Sequence, residues 1–237
     1  MIAFLEQKRL AAFTRTFMAG ILIGILTAGA PVPAQASDFA EQQQVVEKAK
    51  MTLESFLTDP SVGPALRDLK SETKALFIVP QFLRGAFVFG GAGGHGVLIV
   101  RDEATKKWSE PAFYNIGSAS FGLQVGGDVS EIIFVVRSQR GLEDFYRSEF
   151  KLGLDASMAL GPVGEGGSLK GITADLVGYA KKKGIFAGMA LDGSIITVSD
   201  DSNAAYYGKS VRPTDIIVKG SVSNPKSADL RNAAAKF

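Results

Sequence analysis

The sequence predicts an α+β fold in which N-terminal helices pack on a curled, mainly antiparallel β-sheet, arranged like a sandwich or a barrel. Two observations lead to this prediction. Apolar residues recur at helical spacing from Ala40 to Leu57, and after about Ala86 short apolar runs of strand length follow one another with glycines between them. The run from Gly85 to Gly127 alone holds ten glycines, so we expect turns, bulges and close backbone approaches there.

Residues 1–36 have the parts of a secretory signal peptide, with a positively charged start, an uncharged stretch at 17–30 and an A-x-A cleavage motif. We therefore expect cleavage after Ala36, a mature chain that begins at Ser37, and a periplasmic or secreted location. A retained membrane anchor is the alternative. The apolar run is short for a spanning helix, which needs ~20 residues.

Export changes what the composition implies. The first 36 residues hold three of the 26 basic and one of the 24 acidic residues, which leaves 23 of each in the mature chain. A balanced chain gives no support for nucleic-acid binding, so any anion site has to be a local cluster. The chain has no cysteine, which excludes disulfides, thiolate metal sites and a lipid-modified cysteine.

The segment 37–80 is predicted to be the helical part of the folded domain. A first helix is expected over Ala40–Leu57 with Asp38 as its N-cap, and a second over 65–75. The apolar stripe of the first helix includes Val45, Leu53 and Phe56. Both helices are expected to cover the sheet. The alternative for the first is a position on a membrane surface, although its polar face is not rich in Lys and Arg.

The β-rich core is predicted to span residues 81–220, and the polar tail 221–237 is expected to be frayed. The sheet is expected to begin near Ala86. Its predicted strands are 86–90, 96–101, 112–117, 119–126, 131–136, 152–160, 172–180, 184–191 and 194–198. Ile132–Val136 is apolar without alternation, which predicts a strand buried on both faces. Short helical turns are predicted after a cap at Ser138, at 203–207 and at 214–218.

Four stretches follow one another in a specific order: FYNIGSASFGLQVGGDVSEIIFVV, LEDFYRSEFKLGLDASMALGPVGEG, YAKKKGIFAGMALDGSIITV and NAAYYG. Together they resemble the SYLF domain, a lipid-binding module of bacteria and of eukaryotic endocytic proteins. The resemblance covers most of the chain after about Lys48 and implies a non-enzymatic, lipid-binding protein. Eukaryotic members owe phosphoinositide binding largely to a basic N-terminal region that is poorly reproduced here. The implied ligand is therefore an anionic or other lipid.

The strongest charge cluster is the run of three lysines at 181–183, which precedes Gly184 where one strand gives way to the next. A solvated hairpin turn is the simplest interpretation. Three ammonium groups at the rim of a sheet also suit phosphate headgroups. The candidate lipid-binding residues are therefore Lys181, Lys182 and Lys183 for headgroups, and Val45, Leu53 and Phe56 for acyl chains.

Motifs of common catalytic and nucleotide sites are absent from the sequence. GGAGGHG at 90–96 lacks the lysine of a Walker loop and precedes a strand, so we expect a tight strand connection with His95 as a turn residue. A lone histidine supplies neither a His-based metal site nor, without a clear nucleophile, a triad. No G-x-S-x-G elbow or H-E-x-x-H motif occurs.

We therefore expect no catalytic residue, metal, cofactor, nucleotide or nucleic-acid partner. Lipid or a membrane surface is the expected partner. A structural or protein-interaction module with a partner in the cell envelope is the alternative, and a hydrolase whose carboxylates come from distant positions is a third.

Overall fold

The structure is a computed structural model that describes residues 34–86, 89–121, 126–163, 171–186 and 191–237. Six α-helices lie in this part of the chain. They are α1 (Ala34–Thr58), α2 (Gly63–Asp68), α3 (Gln139–Asp144), α4 (Asp200–Tyr207), α5 (Pro213–Ile217) and α6 (Ala228–Ala235). The signal peptide predicted at 1–36 lies almost wholly outside the described residues.

Nine strands among the described residues form one curled sheet, a half-barrel, which together with the helices gives the predicted α+β fold. They are β1 (Ala75–Ala86), β2 (Phe89–Val100), β3 (Ala112–Phe121), β4 (Gly126–Val136), β5 (Glu149–Lys151), β6 (Met158–Leu160), β7 (Leu176–Lys182), β8 (Ile185–Phe186) and β9 (Ile195–Val198). The strand order is β5-β9-β3-β2-β1-β4-β7-β6, and β8 pairs with β7. The described pairs are antiparallel except β6 with β7.

The central strands are buried on both faces, because apolar side chains alternate between two separate cores. In β1, Leu76 and Ile78 belong to the core under α1, α2, α4 and α6, which we call the helix face. Phe77 and Val79 belong to the core under α3 and α5, which we call the opposite face. The prediction that Ile132–Val136 is buried on both faces is confirmed.

The prediction that the sheet begins near Ala86 is wrong, because β1 begins at Ala75. Its first residues show no alternation since both faces are buried, and Pro80 argues against a strand because it cannot donate a ladder hydrogen bond. In the structure Pro80 lies in a bulge that adds one residue to β1 relative to both β2 and β4. Bulges are one of the few sheet positions where proline is tolerated.

The bulge of β1 explains two glycines of β2. A Cβ added at Gly94 would lie 2.7 Å from the carbonyl oxygen of Gln81, and one at Gly96 would overlap the carbonyl oxygen of Ile78. Only glycine fits beneath backbone this close. GGAGGHG is therefore part of strand β2, and the prediction that it forms a turn with His95 as a turn residue is wrong.

The N-terminal helices differ from the prediction at their ends. The helix predicted over 40–57 is confirmed as α1, but α1 begins at Ala34, so Asp38 lies inside the helix and does not cap it. The second helix, expected over 65–75, is α2, which ends at Asp68 and is followed by a short 3-10 turn. Among the residues described, no helix combines the length and the apolar character needed to cross a membrane.

Two neighbouring strand predictions merge in the structure. Residues 112–117 and part of 119–126 form the single strand β3, while residues 122–125 lie outside the described part. The next strand, predicted at 131–136, begins earlier, at Gly126.

Later strands are shorter than predicted. The segment 152–160 is mostly a turn followed by β6, because Gly153 adopts a φ of 82°. The strand predicted at 172–180 begins only at Leu176. The strand predicted at 184–191 is seen as β8, and residues 187–190 lie outside the described part.

The short helices are predicted correctly. The side chain of Ser138 caps α3 by accepting a hydrogen bond from the backbone N–H of Gly141 at 2.9 Å. The helical turns predicted at 203–207 and 214–218 are α4 and α5.

The C-terminal tail is ordered, so the prediction that it is frayed is wrong. Helix α6 buries Leu230 in the core of the helix face. Phe237 packs edge-on against Trp108 with ring centroids 6.4 Å apart. The carboxylate of Glu110 accepts a hydrogen bond of 2.7 Å from Ser227. A few apolar residues in a polar sequence are therefore enough to dock this helix.

Candidate functional site

Helix α1 lies across the helix face of the sheet and contacts four strands in turn. Its apolar stripe is at most 1% exposed and consists of Val46, Ala49, Leu53 and Phe56. Beside this stripe, one polar side chain of α1 meets each strand. These are Gln42 on β2, Lys48 on β1, Thr52 on β4 and Ser55 on β7.

The four strand residues that meet α1, together with Asn115 beside His95, form a line across the sheet, which we call the polar row. It consists of Asn115, His95, Gln81, Glu131 and Lys181. Strand register pairs Asn115 with His95, His95 with Gln81, and Glu131 with Lys181. The bulge of β1 brings Gln81 opposite Glu131. The row faces α1 because its members share a strand face with core residues of the helix face.

His95 links α1 to two strands. Its Nε2 lies 3.0 Å from Oε1 of Gln42, and its Nδ1 lies 2.7 Å from Oδ1 of Asn115. The imidazole also stacks on Phe113, with ring centroids 5.8 Å apart. The histidine therefore has a positioning role at the crossing of α1.

The middle of the row is held by two hydrogen bonds. The ammonium of Lys48 donates to Oε1 of Gln81 at 3.1 Å, and the hydroxyl of Thr52 donates to Oε1 of Glu131 at 2.8 Å. Thr52 is almost fully buried. Buried polar groups need such partners, so these bonds fix the position of α1 along the strands.

Lys181 ends the row at β7, and its side chain is only 13% exposed. Its ammonium donates to Oγ of Ser55 at 2.9 Å and lies 3.5 Å from the carboxylate of Asp59. It also lies 5.2 Å and 6.0 Å from the ring centroids of Phe186 and Phe56, within the range of cation–π attraction. This lysine ties the C-terminal end of α1 to the sheet.

Asp59 follows α1 and supports this contact. Its carboxylate accepts a hydrogen bond from the backbone N–H of Ser61 at 2.9 Å. Hydrogen bonds from the Ser61 side chain and backbone, together with the charge of Lys181, lower the pKa of Asp59. The carboxylate is therefore ionised at neutral pH, where it attracts the ammonium of Lys181.

The structure does not bring the three predicted lysines together. Lys182 lies on the opposite face from Lys181 and forms an ion pair of 2.6 Å with Asp128. Lys183 and Gly184 form the two-residue turn between β7 and β8, with φ values of 49° and 78° that are typical of a type I′ turn. Lys183 is therefore the lysine of the three that lies at an exposed hairpin tip.

The three predicted apolar residues also separate. Leu53 and Phe56 are 0% exposed, so lipid would reach them only if α1 left the sheet. Val45 is half-buried at the edge of α1. It lines a groove of about 550 Å³ together with Lys48, Leu83, Gly93 and His95.

Beyond the polar row, none of the described helices covers the helix face of the sheet, and we call this part the bare face. It consists of Leu83, Gly85, Gly91, Gly93, Gly127 and Val129. Register pairs Leu83 with both Gly93 and Val129, so the two aliphatic side chains are neighbours. They are 58% and 48% exposed. A Cβ added at Gly85 or Gly91 would meet nothing within 4 Å, so a ligand can approach the backbone closely.

The groove and the bare face offer hydrogen-bonding and apolar contacts. Within the described part of the chain, no group of three or more His, Asp or Glu side chains is placed to hold a metal ion. Sequence reasoning missed Gln81, Leu83 and Val129. The alternation of Gln81, Leu83 and Gly85 with their neighbours is the sequence signal for the C-terminal half of β1. Pro80 obscures this signal because it interrupts the strand pattern.

Comparisons with known proteins agree with the motifs. The family model described as "Ysc84: Las17-binding protein actin regulator" matches residues 117–236. Protein YSC84 of Saccharomyces cerevisiae is 30% identical over 197 residues, which is 77% of this chain and 41% of the relative. An SH3 domain-containing protein of Schizosaccharomyces pombe is 30% identical over 159 residues, 64% of this chain and 36% of the relative.

A human relative, SH3 domain-containing YSC84-like protein 1, is 26% identical over 203 residues. The match covers 84% of this chain and 58% of the human protein. The chain thus spans between 36% and 58% of the length of these relatives.

The contacts of Lys181 predict a stability effect. Replacing Lys181 with Met keeps an aliphatic side chain but removes the ammonium group that contacts Ser55 and Asp59. We therefore expect the free energy of unfolding to fall by about 2 kcal/mol. Urea denaturation followed by circular dichroism measures it. Lys183→Asn, which tolerates the same positive φ, is the control and should leave stability within about 0.5 kcal/mol. Equal stability of the two variants would contradict a clamping role for Lys181.

Proposed function

The chain belongs to the Ysc84 (SYLF) family, and on this premise we propose that it is an exported, non-enzymatic protein that binds lipid at a membrane surface through the bare face. The observation that carries the proposal is the pair of exposed aliphatic side chains, Leu83 and Val129, on a stretch of sheet otherwise made of glycine. Removal of such apolar surface from water favours insertion into the interfacial region of a bilayer.

The surroundings of the bare face suit a membrane interface. Lys48 lies on the adjacent edge of α1, and Lys183 lies at the exposed tip of the β7–β8 hairpin. Long lysine side chains can keep their charge at the headgroup level while their stems cover apolar surface. Met51 is 65% exposed and lies three residues after Lys48, on the same side of α1. Because the mature chain is balanced in charge, binding rests on these local contacts.

The proposal assigns the apolar contact to the bare face and not to Leu53 and Phe56. Both side chains project from α1 into the core of the helix face and are fully buried there, where they stabilise the fold. Of the residues proposed from the sequence, Val45 and Lys183 remain accessible to lipid, while Lys181 and Lys182 are held by Asp59 and Asp128.

Export is supported by the composition of residues 1–36. Cleavage after Ala36 would remove only the first three residues of α1. The stacking of Phe39 on Tyr206, with ring centroids 5.8 Å apart, would remain, so the mature N-terminus would stay anchored.

A protein-interaction module is the second candidate function. The description of the matching family names Las17 binding and actin regulation, which favours a protein partner. The bare face would serve this function too, because a polypeptide can approach glycine-rich backbone closely. The two candidates differ in whether vesicles free of other protein suffice for binding.

The double change Leu83→Ser and Val129→Ser tests the lipid proposal. Each side chain contributes on the order of 1 kcal/mol when half of its surface leaves water, so losing both should weaken vesicle binding roughly thirtyfold. Both residues are exposed, so the melting temperature should not fall.

Leu154→Ser is the matched control, because Leu154 is 77% exposed in the turn after β5. It should bind vesicles like the parent. Equal binding by the double variant and the control would exclude the bare face. Failure of the parent to bind any vesicle would favour the protein-interaction module.

The mature chain should begin at Ser37. N-terminal sequencing of the protein recovered outside the cytoplasm measures this directly, since signal peptidase cuts after the A-x-A motif. A chain that retains Met1 in the membrane fraction would contradict export in cleaved form and favour an anchored protein.

A further inference from the structure

Three adjacent central strands carry a basic residue at the end of the sheet that lies away from the bare face. Lys74 precedes β1, Arg101 follows β2, and Arg137 follows β4. The backbone N–H of Arg101 donates to the carbonyl of Lys74 at 2.7 Å, and the N–H of Lys74 donates to the carbonyl of Val136 at 2.9 Å. The sheet therefore holds three cationic residues side by side.

These side chains line a cleft of about 570 Å³, which we call the basic cleft. Lys106 also lines it, and so do the hydroxyl residues Ser71, Thr73, Ser138 and Thr173. Lys106 adopts a φ of 58°, an unfavourable conformation for a residue other than glycine. The N–H of Lys106 donates to the carbonyl of Asp102 at 2.9 Å, which fixes this conformation.

The two carboxylates of the cleft are more exposed than the cations they face. Glu103 pairs with Lys74, and their side chains are 72% and 25% exposed. Glu72 pairs with Arg137, and their side chains are 54% and 16% exposed. Exposed carboxylates can turn into water at little cost, because such ion pairs contribute about 0–1 kcal/mol. The half-buried cations stay in place.

The lining residues carry four positive and two negative charges, so the cleft has an excess of positive charge although the mature chain is balanced as a whole. The guanidinium of Arg101 uses one N–H to donate to the carbonyl of Lys70 at 2.9 Å. A guanidinium carries five N–H donors in a planar fork that matches phosphate oxygens. The hydroxyls of Ser71 and Thr173 add short-range donors, whereas those of Thr73 and Ser138 already donate to the carbonyl of Leu69 and the carboxylate of Asp175.

We propose that the basic cleft binds a phosphate group, which displaces Glu103 from Lys74 and is held by Lys74, Arg101 and Lys106. The phosphate belongs either to a soluble phosphate ester or to a lipid headgroup, since both present the same oxygens. This site is separate from the bare face, so it stands independently of the lipid contact proposed there.

Isothermal titration of the full chain with pyrophosphate, at constant ionic strength, tests the site. We expect Arg101→Gln to weaken pyrophosphate binding about tenfold, because a charge-assisted contact is lost. Glu103→Gln should tighten binding about two- to fivefold, because the competing carboxylate is removed. A purely structural role of these residues would not produce opposite effects.

Two further variants complete the test. Asn tolerates the positive φ of position 106, so Lys106→Asn should fold and should weaken pyrophosphate binding several-fold. This variant tests the site even if Arg101→Gln has a lower melting temperature. Arg212→Gln is the matched control, because this arginine is 49% exposed and pairs with Asp200 away from the cleft. It should bind pyrophosphate like the parent.

The source of the phosphate is decided by co-sedimentation with phosphatidylcholine vesicles, with and without phosphatidic acid. A loss for Arg101→Gln and Lys106→Asn only on phosphatidic acid vesicles identifies a lipid headgroup, whereas pyrophosphate binding with unchanged sedimentation identifies a soluble ester. Equal pyrophosphate affinity in the parent and all variants, or no heat of binding together with unchanged sedimentation, overturns the proposal.

Discussion

The crossing of helix α1 over the central strands determines which surfaces of this domain are open. On one side of the crossing, the apolar stripe of α1 fills the core of the helix face, and each large side chain contributes roughly 1.5–3 kcal/mol by burial. At the crossing itself, every member of the polar row from His95 to Lys181 has a partner on α1. Lifting α1 would expose the stripe and leave the row without these partners. The helix is therefore held in place by the fold, and no other helix of the described residues covers the sheet beyond it.

Much of the fold could be predicted because it rests on local patterns. Helical spacing identified α1, and unbroken apolar character identified Ile132–Val136. Strand β1 could not be recognised in the same way, because burial on both faces removes the alternation and Pro80 contradicts a central strand. The glycines at 94 and 96 are required by a bulge in a neighbouring strand, which no local sequence pattern reveals.

The candidate site was less predictable than the fold, because it arises from strand register. The polar row joins residues that are far apart in sequence, and Leu83 meets Val129 only through the pairing of β1 with β4. The lysine run shows the reverse case. Residues adjacent in sequence are separated in space, because Lys181 and Lys182 point to opposite faces of β7. The two ends of the sheet thus differ in chemistry, with aliphatic side chains and glycine at one and a basic cleft at the other.

We propose that α1 remains on the sheet while the bare face contacts lipid. Hydrogen–deuterium exchange with and without phospholipid vesicles, read by mass spectrometry, tests it most directly because exchange reports local opening. Vesicles should slow exchange in peptides covering 81–86 and 126–131 and leave peptides covering 40–57 unchanged. Faster exchange in 40–57 on vesicles, with no protection of 81–86 or 126–131, would show that α1 leaves the sheet and would contradict the account.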